Sequence, residues 1–228
     1  MTITVTTGLP IPVASTAASF TYSTLIAYLD TWLARNDVTV QAAYFLSMLE
    51  DYLNYGGGDI DPPLRCREME AASSITPDAT AYTVAIPTDY LEYRSVVELA
   101  SIRRPLQYIT ADQAEQLFPV RTGGGLASHF YIAGEFIYPL PRTTNVIELT
   151  YYQKIPSLTS TNTTNWLLDN NASIYLRGTL MMAADFIKDN EEYAKHASFV
   201  RGLVAGMNRS DVLARYSRAG VSLRGSTP

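Results

Sequence analysis

The stretch YYQKIPSLTSTNTTNWLLDNN, Tyr151–Asn171, decides how the chain is divided. It begins on two tyrosines that close an alternating run and finishes inside a helical pattern. From Ile155 to Trp166 it is almost entirely Ser, Thr and Asn, and only Lys154 and Asp169 carry charge across the stretch. Three readings compete: a surface loop suited to glycans, a binding loop, and a joint between two parts of the fold. The residues favour the joint. Pro156 stops a strand because it has no N–H for the ladder. The Ser/Thr/Asn run supplies turns and local hydrogen bonds without charge. Asn165 or Thr164 is placed to cap a helical turn, which Trp166 and Leu167 would anchor.

On the C-terminal side of this joint the period is helical. Residues of about 171–187 are apolar almost all round, with Ile174, Tyr175, Leu176, Leu180, Met181, Met182, Phe186 and Ile187, the pattern of a helix inside a bundle. A break at KDNEE leads to a long helix of about 190–216, striped at Tyr193, Ala197, Val200, Val204 and Met207. On the N-terminal side the period is two. AYTVAIP (81–87), YRSVVELAS (93–101), PLQYIT (105–110) and TNVIELTYYQK (144–154) read as strands, and HFYIAGEFIYPLP (129–141) as a hairpin turning at a glycine. TADQAEQLF (110–118) is a short helix whose Thr110 and Gln113 have capping-box spacing. Further upstream, helices are expected over about Ser23–Ala34, with Leu25, Ile26, Leu29, Trp32 and Leu33 on one face, and about Val40–Tyr55, with Phe45, Met48, Leu49, Tyr52 and Leu53. The short link between these two helices predicts an antiparallel pair.

The expected fold class is therefore α+β: a mainly α-helical bundle carrying an inserted small antiparallel β module. The divisions are an extended N-terminal arm over 1–20, a bundle from 21–56 and 165–216, the module over 80–155, and a flexible C-terminal tail over 217–228. An insertion requires the module's two ends to lie close together.

Composition limits function. The 228 residues are 47% hydrophobic and 17% charged, enough to bury a core. Seventeen basic against 22 acidic side chains leave a net charge of −5, which disfavours specific DNA binding, since phosphate neutralisation supplies most of such affinity. Cys66 is the single cysteine, so no internal disulfide or thiolate metal cluster is possible. The start lacks a signal-peptide pattern and no apolar run is long enough for a bilayer, so a soluble protein made in a host cytoplasm is expected. The N-x-S/T matches at Asn162, Asn171 and Asn208 are read as chance.

No catalytic constellation stands out. RTGGGLAS and YGGGDIDPP lack the Lys-Ser/Thr ending of a phosphate loop. Asp59 and Asp61 lack a calcium loop's further ligands and read as a solvated turn. His129 opens a strand with no Ser or Cys in a recognisable nucleophile motif beside it, His196 reads as a surface or core histidine, and Glu191 and Glu192 suit a helix N-terminus. Cys66 between Arg65 and Arg67 reads as packed rather than activated. No catalytic residue, cofactor or metal is expected. Two positive features remain. The chain has 16 tyrosines, eight of them in the module (Tyr82, Tyr90, Tyr93, Tyr108, Tyr131, Tyr138, Tyr151 and Tyr152), and tyrosine is favoured at protein interfaces. The two ends are each capable of ordering on a partner.

The chain resembles the head-to-tail adaptor proteins of tailed bacteriophages. The resemblance is carried by Tyr151, Tyr152, Lys154, Ile155, Pro156 and Leu158, then Asn165, Trp166 and Leu167, then Tyr175, Leu176, Gly178, Lys188 and Asp189. A second match is LDTWLARNDVTVQAAYFLSMLEDYLN, through Trp32, Leu33, Arg35, Asp37, Phe45, Glu50 and Leu53; RCREME (65–70) and IPTDYLEYRSV (86–96) also fit. It spans about residues 22–210, and the order of several motifs carries it. YGGGDIDPPL departs from the pattern, where relatives continue with Asn-Arg. The resemblance implies a structural virion protein of the head–tail neck. It would form a ring, of twelve copies, docked on the portal protein and receiving the tail or nozzle protein, with a lumen through which DNA passes unbound. The alternative from the tyrosines is a tail-associated β-type module binding a host glycan or another tail protein. Partner contacts are expected at Val221, Leu223 and Arg224 in the tail and at Arg209, Arg215 and Arg218 around the end of the last helix, which also carries Arg201.

Overall fold

In a computed structural model, residues 20–33, 39–58, 61–121 and 124–216 are described. The expected arm over 1–20 lies almost wholly outside them, and the tail over 217–228 wholly so. The element order is α1 (Tyr22–Leu33), a 3-10 turn at Thr39–Gln41, α2 (Ala42–Tyr55), a 3-10 turn at Arg67–Met69, β1 (Glu70–Ile75), β2 (Val84–Ala85), β3 (Tyr90–Leu99), β4 (Arg103–Pro105), β5 (Gln107–Tyr108), α3 (Ala111–Leu117), β6 (His129–Ala133), β7 (Phe136–Leu140), β8 (Val146–Gln153), α4 (Trp166–Phe186) and α5 (Asn190–Tyr216). The class is α+β, as expected.

The strands form two four-stranded sheets, ordered β1-β8-β3-β4 and β2-β7-β6-β5. In β8, Ile147, Leu149 and Tyr151 are buried while Val146, Glu148 and Thr150 are less so, the alternation read from the sequence. These inner-face residues pack with Val96 of β3 and with Val84, Phe130 and Ile137 of the second sheet, so the two sheets share one core. The turn between β6 and β7 uses Gly134 at φ +59°, where a glycine meets no Cβ penalty. Two features differ from the sequence reading. β1 is a strand that EAASSI did not signal: its small polar residues carry little apolar alternation, and it forms because β8 offers a free edge from Glu70↔Tyr152 to Ile75↔Ile147. The β5–β6 pair is parallel, because the connection between them is long and contains α3, as a parallel crossover requires. The capping box that starts α3 is present, with Thr110 Oγ1 accepting from Gln113 N and Gln113 Oε1 accepting from Thr110 N.

The helical core forms around α4. α1 and α2 each pack on α4, as does α5. Thus α4, apolar on nearly every side, stands between its neighbours, and the expected antiparallel α1–α2 pair is not the principal contact. Gly178 explains how close α2 comes: a Cβ there would lie 2.3 Å from Cδ1 of fully buried Leu49. α4 also opens differently from the expected start at 171. Asn165 caps a turn beginning at Trp166, accepting from Leu168 N at 2.8 Å, and Asn171 (φ −145°, ψ 59°) kinks the chain into the main helix.

The joint itself is pinned by a buried polar network. Ile155 N donates to Asn54 Oδ1 (3.1 Å) and Leu158 N to Glu50 Oε1 (2.8 Å), both side chains belonging to α2. Asn165 Nδ2 donates to Pro156 O and to the Tyr175 hydroxyl, each at 2.7 Å, and Tyr175 Oη donates to Glu50 Oε1 at 3.3 Å. Burial raises the Glu50 carboxyl above its ordinary value, opposed by the bonds it accepts from Leu158 and Tyr175. Burial, and then the nearby Glu50 carboxylate, raise the Tyr175 phenol strongly.

Two outcomes follow from this packing. Gly178→Ala gains about 1 kcal/mol of helix propensity but overpacks Leu49 at a cost of about 1–3 kcal/mol, so the urea midpoint falls. Glu50 holds its proton in the folded chain at pH values where the unfolded chain has released it; its contribution to stability is therefore complete at low pH and declines as pH rises through the raised value. Glu50→Gln cannot ionise yet keeps an oxygen for Leu158 N. The difference in unfolding free energy, variant minus wild type, should become more favourable to the variant as pH rises above the ordinary glutamate value of about 4.3, measured by urea titration at each pH.

Candidate assembly interface

α5 anchors the segment that leads from α2 into the sheets. Asp59, read with Asp61 as a solvated turn, lies outside the described residues, whereas Asp61 begins a segment strapped along α5. Asp61 is buried and receives a two-pronged bond from Arg201, Nε to Oδ1 at 2.5 Å and Nη2 to Oδ2 at 3.0 Å. The planar guanidinium matches the carboxylate, a geometry that a lysine could not supply. Two turns on, Asn208 Nδ2 donates to Pro63 O (3.0 Å) and its Oδ1 accepts from Arg65 N (2.8 Å). One turn further, Asp211 Oδ1 accepts from Arg67 N (3.2 Å), and burial raises its carboxyl above the ordinary value. Residues 201, 208 and 211 are spaced so that one face of the helix carries all three straps. Cys66, between the strapped residues, is buried and its thiol is pushed up to about 12, first by desolvation. It is a packed residue, as expected.

The same strap joins helices to sheets. The Tyr152 ring of β8 lies between two guanidiniums, Arg65 at 5.6 Å and Arg94 at 5.3 Å from its centroid. Arg94 pairs with Glu70, and Arg65 with Glu92 at 3.2 Å. Across the joint, Lys154 N donates to Asp89 O (2.7 Å) and Tyr151 Oη to Asp89 Oδ1 (3.0 Å). Most of the tyrosines singled out in the sequence are consumed in this way. Tyr131 stacks on Tyr138 at 4.7 Å, Tyr93 packs on Tyr108 and Phe130, and Tyr90 on Tyr151. Of the eight, only Tyr108 is exposed, which weighs against a tyrosine-lined binding face.

The exposed aromatic surface lies on the helices instead. Arg177 of α4 sits between Trp32 of α1 and Phe199 of α5, its guanidinium 4.6 Å and 5.0 Å from the two ring centroids. Trp32 is 50% exposed and Phe199 53%. Trp32, expected on the buried face of its helix, is therefore a surface residue. Beside the stack, Trp32, Leu33, Leu180, Ala184 and Ile187 line a cavity of about 350 Å³ whose rim is Asp189, Glu192, Lys195 and His196. His196 is buried, and desolvation with the Arg177 charge lowers its value, so it sits neutral beside Arg177. Arginine and large aromatics half-exposed together are the composition of an interface centre. No spacing joins residues 32, 177 and 199 in the sequence; they meet because α1, α4 and α5 pack.

The sequence-predicted contact residues are not gathered by the described part of the chain. Arg209 is exposed on α5. Arg215 lies on the same helix near its end. Arg218, Val221, Leu223 and Arg224 fall outside the described residues. Arg201, counted with this basic group, is committed to Asp61. Among the described residues no group of three or more His, Cys, Asp or Glu side chains could hold a metal ion, and no helix is long and apolar enough to cross a membrane.

The chain thus has a helical core built on one central helix, with a two-sheet β element between its helical pairs. The SU10 adaptor protein family matches the chain over residues 20–224, and the chain belongs to that family. It is thus a bacteriophage adaptor protein, a structural component of the virion. No curated protein matches it.

The straps give a direct test of the α5 scaffold. Asn208→Ala leaves Arg65 N and Pro63 O without their partners, a loss of about 1–3 kcal/mol. Hydrogen exchange across residues 61–67 should quicken in the variant while the amides of β3 and β8 stay protected.

Proposed function

We propose that the chain assembles into a closed ring at the virion neck, between the portal protein above and the tail or nozzle protein below, with a lumen that passes DNA. Membership of the adaptor family supports a role joining head and tail components. The observation that carries self-assembly is the half-exposed Trp32–Arg177–Phe199 stack beside an apolar cavity. A patch of that kind on one copy, meeting a different surface on the next, makes a head-to-tail contact that closes into a ring by rotation. Twelve copies is the number the resemblance implies. The net charge of −5 suits a channel that slides past a duplex, because a weak negative field does not trap it.

In this reading the chain has no catalytic role. The helices of 21–56 and 165–216 form the bundle of each copy. The β strands form its insert, which extends back from 80 to Glu70 because β1 pairs with β8. Arg209, Arg215 and Arg218, with Val221, Leu223 and Arg224, contact a neighbouring neck protein.

The test is native mass spectrometry and negative-stain microscopy of the full chain, alone and with portal protein. A ring of about twelve copies is expected, alone or on the portal. The double substitution Trp32→Ala and Phe199→Ala should leave the circular dichroism spectrum unchanged and shift the population to monomers. A chain that stays monomeric and never binds portal overturns the proposal.

A further inference from the structure

A cavity of about 550 Å³ forms a groove along α5. One wall is Gly202, Leu203, Gly206, Met207 and Ser210 of that helix, continuing to Asp211 and Ala214; the other is Cys66, Arg67 and Glu68 with Trp166 and the Asn170–Asn171 kink. The two glycines need an explanation. A mid-helix glycine costs about 1 kcal/mol relative to alanine. Gly178 is required by Leu49, but a Cβ at Gly202 or at Gly206 would meet nothing within 4 Å. Nothing among the described residues uses the space that these glycines leave. Trp166, in the opposite wall, has a buried indole N–H without a hydrogen-bond partner among the described residues. Bare helix backbone along an open groove suits an extended peptide, whose own backbone can approach it closely.

The chain supplies one. Twelve residues, SRAGVSLRGSTP (217–228), follow Tyr216, and they begin three residues beyond Ala214, at the groove's own end. Gly202 to Ala214 spans about 18 Å at the helical rise, and twelve extended residues reach up to roughly 40 Å, enough to reverse and cover the whole groove. Val221 and Leu223 alternate around Ser222, so an extended chain turns both to one face, matching Leu203 and Met207. Arg218 and Arg224 complement exposed Glu68 on the groove's rim. We propose that the C-terminal segment 217–228 lies back along α5 of its own chain, in the groove between Gly202–Ala214 and Cys66–Glu68. This goes beyond the ring assignment and stands without it. Where the two meet, the groove and a neighbouring neck protein compete for the same segment.

The test is disulfide trapping in the full-length chain, with Cys66→Ala removing the native thiol. Gly206→Cys adds a side chain where space is open, and Leu223→Cys places its partner. The control pairs Leu223→Cys with Val212→Cys, an exposed position on another face of α5 and nearer the chain end, which an undocked segment meets first. In dilute solution the Gly206 pair should close within the monomer about tenfold faster than the control, as a raised effective concentration requires. Closure at an equal or slower rate overturns the proposal. Disulfide-linked dimers as the main product would assign the groove to another copy's segment, and so overturn the placement within one chain. Circular dichroism spectra matching the unsubstituted chain establish that both pairs are read on folded protein.

Discussion

The buried contact between Glu50, Tyr175 and Asn165 is the constraint on which the rest of the structure depends. A chain that leaves a β-sheet and enters a helical core carries backbone amides through an apolar interior, and each must find a partner. Here α2 provides those partners by side chain: Glu50 for Leu158 N and Asn54 for Ile155 N. Asn165 then caps α4 and meets the Tyr175 hydroxyl. The joint is thereby held to α2 and α4 at once, so the last strand and the central helix keep a fixed relation. An apolar replacement of any one member would strand the others, because an unpartnered buried polar group costs more than the bond it loses.

A second polar system works on the outside of the same core. Asp61, Pro63, Arg65 and Arg67 are held along α5 by Arg201, Asn208 and Asp211. The strap delivers Glu70 to the edge of β8 and sets Arg65 against Tyr152, where helices and sheets meet. Both ends of the β region are therefore tied down, one by the joint and one by the strap. The Gly-rich stretch before Asp61 leads into this strap: Gly56 and Gly58 adopt positive φ and Gly57 N donates to Asp61 O.

Local signals were read correctly where a single element decides the outcome. The capping box at Thr110 and Gln113, the glycine turn at 134, the alternation of β8 and the all-round apolarity of α4 each follow from a short window of residues. Signals failed where the deciding partner is distant. β1 has no apolar pattern of its own and is a strand only because β8 receives it. Asp61 looks like a solvated turn until Arg201, 140 residues away, is placed beside it. Trp32 fits an apolar helix face until packing puts the Arg177 guanidinium over its ring and leaves it half-exposed. The tyrosines looked like an interface and are mostly stacked on one another.

By itself, the sequence determined the fold class, the joint at 151–171, and, through the order of its motifs, the resemblance to phage adaptors. These rest on periodicity, capping and turn chemistry, all of which act within a few residues. Tertiary structure decided which helix stands at the centre, which polar side chains are buried partners rather than solvated charges, and where the exposed aromatic surface lies. Such properties depend on distances between residues far apart in the chain, and those distances exist only once α1, α2 and α5 have closed on α4.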